Sequence, residues 1–223
     1  MNPKIVAIKS LKLITHDVLQ IVTEKPADYD FTPGQATEVS INKPGWTEEK
    51  RPFTFTSLPE SDVLGFTIKT YPSHKGVTNE LLKLKKDDEL ILHDVFGAIT
   101  YRGKGVFIAG GAGITPFISI FRFLQSIKEV DGNKLIFANK SEEDIILKNE
   151  FESLLGSNFI NILSDEKTKN YAYGLISESF LKTHMDSSCK NVYVCGPPPM
   201  MEAVTKQLSA VGVDENVIVV EEI

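Results

Sequence analysis

Three short stretches of this 223-residue chain carry side chains or bare backbone suited to gripping a charged ligand. The first is Val106-Phe107-Ile108-Ala109-Gly110-Gly111-Ala112-Gly113-Ile114-Thr115-Pro116-Phe117. An apolar strand runs into a glycine-rich turn, and a helix is predicted to open with Thr115 as N-cap and Pro116 as its first residue. Bare amides at a helix N-terminus bind phosphate, and glycines let the backbone come close to it. Alone, the same stretch is also an ordinary tight turn of a doubly wound sheet. Pro116 stands where the usual Gly-x-Gly-x-x-Gly dinucleotide fingerprint has its last glycine.

The second stretch is Val192-Tyr193-Val194-Cys195-Gly196-Pro197-Pro198-Pro199-Met200. A buried strand ends in a thiol, and three prolines force a turn before a helix. A free buried cysteine is usually inert, and prolines often start helices. Neither fact explains their meeting at the carboxyl end of a strand, where open α/β sheets place ligands. The third stretch is Arg51-Pro52-Phe53-Thr54-Phe55-Thr56-Ser57. Strand alternation points Arg51, Phe53 and Phe55 one way and Thr54 and Thr56 the other. An arginine beside an aromatic can hold a phosphate and stack a ring, although a surface arginine on a plain strand fits equally well.

The elements that must position these residues change character along the chain. Segments near 3–14, 17–24, 36–42, 51–57, 63–71 and 89–100 are rich in Val, Ile, Thr and Phe and separated by Pro/Gly/Asp turns. With one brief helical stretch, Thr78–Leu84, they predict a small antiparallel β-barrel. After Gly105, predicted strands (106–109, 134–138, 159–164, 191–195, 217–220) alternate with predicted helices (115–127, 148–155, 199–210). That alternation means an α/β domain with a parallel sheet. The expected domains are residues 1–102 and 103–223.

Composition narrows the chemistry. The net charge of −6 argues against nucleic acid as a partner. The acidic excess lies mostly in residues 104–223, with 11 basic and 16 acidic side chains. Two cysteines are too few for a disulfide framework, a four-cysteine zinc site or a cysteine-ligated iron–sulfur cluster. The four histidines have no metal-ligand spacing, so no metal is expected. Gly97…Gly103-Lys104 imitates a P-loop, but its gap is one residue too long and Gly105 follows the lysine. No Gly-x-Ser-x-Gly elbow occurs. The longest uncharged run, Gly105 to Phe121, holds four glycines and a proline and reads as strand–turn–helix, not a membrane span. A cytoplasmic, soluble protein is expected.

Taken together and in this order, the three stretches resemble the ferredoxin–NADP reductase superfamily, in particular its cytochrome b5 reductase and flavodoxin/ferredoxin reductase branches. The resemblance covers essentially the whole chain. It implies a flavin-binding barrel followed by a nicotinamide-binding α/β domain. Arg51-Pro52-Phe53-Thr54 resembles the Arg-x-Tyr-Ser/Thr flavin motif, in which the arginine pairs with pyrophosphate, the aromatic packs on the isoalloxazine and the hydroxyl lies near N5. Phe53 replaces the usual tyrosine. The resemblance also puts Thr67, Ile68, Lys69 and Tyr71 on the next flavin-lining strand. Gly76-Val77-Thr78 resembles the turn that meets the flavin phosphates in FAD-using members, which favours FAD over FMN. Gly111, Gly113, Thr115 and Pro116 resemble the Gly-x-Gly-x-x-Pro dinucleotide turn. Cys195, Gly196, Pro197, Pro198 and Met200 resemble the Cys-Gly-Pro motif, whose cysteine sits beside nicotinamide C4. This sequence ends Val220-Glu221-Glu222-Ile223, without the aromatic that many members place over the flavin. By resemblance Glu221 takes the acidic role found there, so Thr54, Cys195 and Glu221 form the expected catalytic set.

The stretch from Ala138 and Asn139 to Ile145 is similar to the NADH-using branch. Asp165 falls where phosphate-binding members carry Ser-Arg, and its carboxylate would repel a 2′-phosphate. NADH is therefore expected, with NADPH a possible alternative because of Lys140. The implied activity is hydride transfer from NAD(P)H to FAD, then electron transfer to an acceptor such as a ferredoxin, flavodoxin or cytochrome. Two rivals stay open: reduction of diffusible acceptors (quinone, ferric chelate, free flavin), and an electron-transfer subunit without turnover of its own. Lys83, Lys85 and Lys86 form a small basic run on the front domain, either a solvated face or a steering patch for an acidic carrier.

Overall fold

Strand alternation in the first hundred residues produces an antiparallel sheet. A computed structural model describes residues 3–71, 73–97, 99–185 and 189–220. Its first strands are β1 (Lys4–Leu13), β2 (Val18–Glu24), β3 (Gln35–Ile41), β4 (Arg51–Thr54) and β5 (Val63–Lys69), followed by helix α1 (Val77–Leu81) and strand β6 (Glu89–Gly97). The sheet order is β4-β3-β6-β1-β2-β5, and every pairing is antiparallel. A bridge between Phe55 and Phe66 links the end of β4 to β5 and closes the six strands on themselves. Closure leaves no bare sheet edge there. The interior is filled by one face of each strand, including Val6, Ile8, Ile21, Val39, Ile41, Leu64, Phe66 and Ile68. Phe55 is its centre. It stacks on Phe31 at 4.2 Å and tilts against Phe66 at 5.4 Å.

The second half folds as the strand–helix alternation dictates. It contains β7 (Val106–Gly110), α2 (Thr115–Ser126), β8 (Lys134–Asn139), α3 (Lys148–Leu155), β9 (Phe159–Leu163), β10 (Ala172–Tyr173), α4 (Glu178–His184), β11 (Val192–Cys195), α5 (Pro198–Ala210) and β12 (Ile218–Val220). All five pairings are parallel, in the order β10-β9-β8-β7-β11-β12. The chain moves outward from β7 to β10, then returns to lay β11 on the other side of β7. That reversal makes the carboxyl ends of β7 and β11 the topological switch point, the ligand-binding position of open α/β sheets. No helix of the described residues is long and apolar enough to cross a membrane.

Contacts divide the chain into two units, Met1–Thr100 with Thr115–Phe123, and Tyr101–Ile114 with Leu124–Ile223. The first nine residues of α2 thus group with the barrel. Pro116 to Phe121 are buried all round the helix, the mark of a helix covered on every side. Ser119 Oγ accepts a hydrogen bond from Gly34 N–H at 2.9 Å, and Arg122 donates to the Thr56 carbonyl at 2.5 Å.

Two details differ from the sequence expectation. The helical conformation begins at Gly111 as a 3-10 turn, Gly111–Ile114, which runs directly into α2. Thr115 is therefore not the N-cap. It already lies within the helical run, and its hydroxyl finds a tertiary partner. In addition, β10 and α4 form where the sequence pattern predicts no element. A two-residue strand and a seven-residue helix are shorter than the windows in which periodicity shows.

Candidate functional site

On the barrel unit the candidate residues lie on β4, on β5 and around α1. Arg51 is on the outside, with its side chain 48% exposed; its guanidinium donates to the Lys50 carbonyl at 2.6 Å and lies 3.5 Å from the Glu49 carboxylate. Pro52 is exposed as well, and Phe53 is half-buried against the barrel core. Phe55, on the same face, is fully buried, so this face passes from solvent into the core within five residues. The opposite face is a run of hydroxyls. Thr115 Oγ1 donates to Thr54 Oγ1 at 3.3 Å, and Thr67 Oγ1 donates to Thr56 Oγ1 at 3.2 Å. On β5, Ile68 turns its side chain into the core. Thr67 and Lys69 share the other face, where Lys69 pairs with Asp17 at 2.7 Å. Tyr71 is exposed and stacks on His74 at 5.7 Å.

Gly76 precedes α1, and no side chain among the described residues caps that helix. An added Cβ on Gly76 would meet nothing within 4 Å among the described residues. Val77 anchors α1 in the core, and Thr78 stays partly open. An exposed cation, a half-buried ring, a row of threonine hydroxyls and uncapped amides beside open space form a donor set that fits FAD. Arg51 and the α1 amides suit the pyrophosphate, and Phe53 and Thr54 suit the ring system.

On the α/β unit the two glycine-containing turns lie side by side. β7 and β11 are neighbours, with Cys195 opposite Ala109 in register. Gly113 packs so closely on the second turn that an added Cβ would lie 2.3 Å from the Cys195 carbonyl oxygen and 2.6 Å from Gly196 Cα. A Cβ on Gly110 would lie 2.0 Å from Met200 Sδ. The sequence motif rests on Gly111 and Gly113, whereas the requirement at Gly110 comes from the close approach of Met200. Gly111 has φ of +51 and open space around it, a turn that favours glycine and leaves the backbone accessible.

Cys195 closes β11 and is 2% exposed. Gly196 is half-buried, and Pro197, Pro198 and Pro199 are exposed. Pro197 is the N-cap of α5, and prolines occupy its first positions, where the missing N–H costs nothing. The backbone amides of Met200 and Met201 both donate to the Pro197 carbonyl. Pro116, on the other turn, is buried.

Asn139 closes β8 and is only 9% exposed; neither its Nδ2 nor its Oδ1 has a hydrogen-bond partner among the described residues. A buried amide left in that state fits a polar ligand at the strand end. The Asn139 carbonyl accepts from Ser164 N–H and the Lys140 carbonyl from Asp165 N–H, so the segments after β8 and β9 run side by side. Asp165 is exposed and accepts from Ser164 Oγ at 2.6 Å. Together the open Gly111 turn, the orphaned Asn139 amide and the exposed Asp165 carboxylate suit a dinucleotide lying along the carboxyl edge of the sheet. A separate cavity of about 500 Å³, lined by Lys134, Leu181, His184, Met185 and Val211, adjoins the amino-terminal end of β8 instead. Glu221 lies outside the described residues.

Two known domain families match the chain. An FAD-binding domain covers residues 4–120, and an oxidoreductase NAD-binding domain covers residues 107–206. NADH-cytochrome b5 reductase 1 of Aspergillus terreus is 30% identical over 222 residues, covering 89% of this chain and 74% of that protein. The electron transfer component of 2-halobenzoate 1,2-dioxygenase from Burkholderia cepacia is 27% identical over 191 residues, covering 81% of this chain. This chain spans 55% of that relative's length. A ferredoxin NADP+ reductase from Neisseria gonorrhoeae, solved with bound FAD and NADP, shares the fold with a TM-score of 0.85 at 18% identity, over 99% of this chain and 98% of that one. With both cofactor-binding domains matched in order, the chain belongs to the ferredoxin–NADP reductase superfamily of FAD- and NAD-binding oxidoreductases.

Proposed function

We propose that this chain takes hydride from NADH onto FAD and passes the electrons to a small redox protein. The observation that carries the reading is the packing of Gly113 against the Cys195 backbone at the switch point of the parallel sheet. It makes one continuous backbone surface from the two turns whose motifs suggest nicotinamide chemistry. Bound FAD supplies a ring that accepts two electrons as hydride and gives them up singly.

The protein's own contribution is binding and orientation. Arg51 neutralises pyrophosphate charge, Phe53 packs against the flavin ring, and the Thr54 hydroxyl is the hydrogen-bond group for flavin N5. The turn at Gly111 receives the dinucleotide phosphates. Cys195 and the prolines after it shape the nicotinamide pocket and keep water from C4. Glu221 is assigned the acidic role there on motif resemblance alone. Asp165 places a negative charge near the adenosine end and favours a free 2′-hydroxyl, hence NADH.

The acceptor reading draws on the relatives, whose names specify cytochrome b5 in one case and an oxygenase system in the other. Ferredoxin, flavodoxin and small cytochromes are the carriers to test. Purified protein should be yellow and should bleach with NADH in the absence of oxygen. Colourless protein that binds no added FAD refutes the proposal. In stopped flow, Cys195→Ala should slow bleaching more than it weakens FAD binding; an unchanged rate removes Cys195 from the role. A kcat/KM that clearly favours NADPH removes the NADH assignment. Turnover with quinone or ferric chelate but with no protein carrier replaces the acceptor class.

A further inference from the structure

The loop joining β8 to α3 is built to hold its side chains in place. Asp144 accepts hydrogen bonds from Ser141 N–H at 3.0 Å and from Ser141 Oγ at 2.7 Å. Ile145 and Ile146 are buried. Leu147 then adopts φ of +52, the left-handed region that a residue with a Cβ rarely enters. Beyond that kink Lys148 meets Glu142, six residues earlier, with Nζ and Oε1 2.5 Å apart. Such a pair does not arise from helical spacing, which joins residues three or four apart. The backbone N–H of Glu142 donates to Glu166 Oε2 at 2.7 Å, tying the loop to the segment after β9.

Ser141, Glu142, Glu143, Lys148 and Glu166 line a cleft of about 630 Å³, two and three residues beyond the carboxyl ends of β8 and β9. Asn139, with its buried and unpartnered amide, closes β8 immediately before this loop. Lys148 is the one lysine among these lining residues, and its charge is already engaged. Besides Glu142, the ammonium lies 5.3 Å from the Tyr171 ring centre and 4.0 Å from Glu152. The hydrogen bond to Glu142, then that to Tyr171, holds the lysine pKa above its ordinary value, so it stays a cation whose counter-ion is internal.

We propose that Glu142 sets the cofactor selectivity of this chain by holding Lys148. Among its lining residues the cleft then offers three carboxylates and no cation lacking a counter-ion, which suits an adenosine ribose with free hydroxyls and disfavours a ribose 2′-phosphate. Glu142 is thus a positioning residue that acts through Lys148. The inference rests on the dinucleotide lying along the carboxyl edge of the sheet, as in the proposed function.

The FAD-loaded chain, titrated calorimetrically with 5′-AMP and with 2′,5′-ADP, provides the test. Glu142→Gln keeps the backbone donor to Glu166 and removes only the counter-ion of Lys148. It should improve 2′,5′-ADP binding relative to 5′-AMP by about tenfold, the equivalent of about 1.4 kcal/mol. Adding Lys148→Met to Glu142→Gln should abolish that gain. An unchanged ratio in Glu142→Gln overturns the proposal. A gain that survives in the double variant also overturns it, because the effect is then simple relief of repulsion. Wild-type protein that binds NADH but neither adenosine fragment places the adenosine elsewhere and overturns this inference alone. Failure to bind NADH as well strikes the dinucleotide reading beneath it.

Discussion

Gly113→Ala is the sharpest perturbation of the switch point. The added Cβ would sit 2.3 Å from the Cys195 carbonyl oxygen and 2.5 Å from its carbon. An acceptable carbon–oxygen contact begins near 3.3 Å, so the two turns must part by about 1 Å. The obstacle is backbone, which no rotamer change relieves. Nor is strain in φ involved, because Gly113 is not among the positive-φ glycines. β7 and β11 are held in register right up to Ala109 and Cys195, so the displacement falls on the Gly111–Ile114 turn and on Gly196–Pro198. Overpacking of this kind costs about 1–3 kcal/mol of stability. Melting should fall by about 2–4 °C per kcal/mol in a chain of this length. A misplacement of about 1 Å at a reacting group costs about 100-fold in rate. Bleaching of the flavin band by NADH in anaerobic stopped flow measures the rate, and released FAD measures the barrel. The expected result is FAD retained and the reduction rate down by about two orders of magnitude. Gly212→Ala is the control: φ there is +87 with nothing around it, so it strains the turn after α5 without touching the site. Wild-type reduction by Gly113→Ala, or an equal loss in Gly212→Ala, would refute the reasoning.

Two further predictions concern stability. Phe55→Ala removes the ring that stacks on Phe31 and packs on Phe66, and it should cost about 3–5 kcal/mol in urea unfolding; a loss below about 1 kcal/mol would mean the barrel centre collapses to fill the space. Burial holds His93 below its ordinary pKa of 6.5, with Lys50 adding to the effect and Glu38, Asp94 and Glu48 opposing it. His184 is lowered too, by burial and then by Lys134. Below pH 6.5 the unfolded chain therefore takes up these protons more readily than the folded one, and stability falls as acid is added. His93→Gln should flatten the Tm profile between pH 7 and pH 5; a profile identical to wild type assigns the slope to other groups.

The strands of the barrel were legible because each exposes one face to an apolar interior, and alternation records that directly. Ends of parallel strands were legible for a related reason: an apolar run that stops at Gly-Gly-Ala-Gly or Cys-Gly-Pro marks where the sheet opens. What local pattern cannot encode is which residues far apart in the chain become partners. Thr115 before Pro116 reads as a helix cap, yet its hydroxyl goes to Thr54, 61 residues away. Asn139 could be suspected from its place at the end of β8, but that its side-chain amide is buried without a partner among the described residues shows only in the folded chain. Lys148 and Glu142 meet only because Leu147 turns into the left-handed region, which nothing in the sequence of a leucine announces. The same holds for the central feature. Nothing local says that the strand ending at Gly110 and the strand ending at Cys195 are neighbours. That follows from the reversal of strand order around β7, which puts Ala109 opposite Cys195. Once they are neighbours, Gly113 has no alternative to glycine, and a composition feature that looked like turn flexibility becomes a requirement for two backbones to touch.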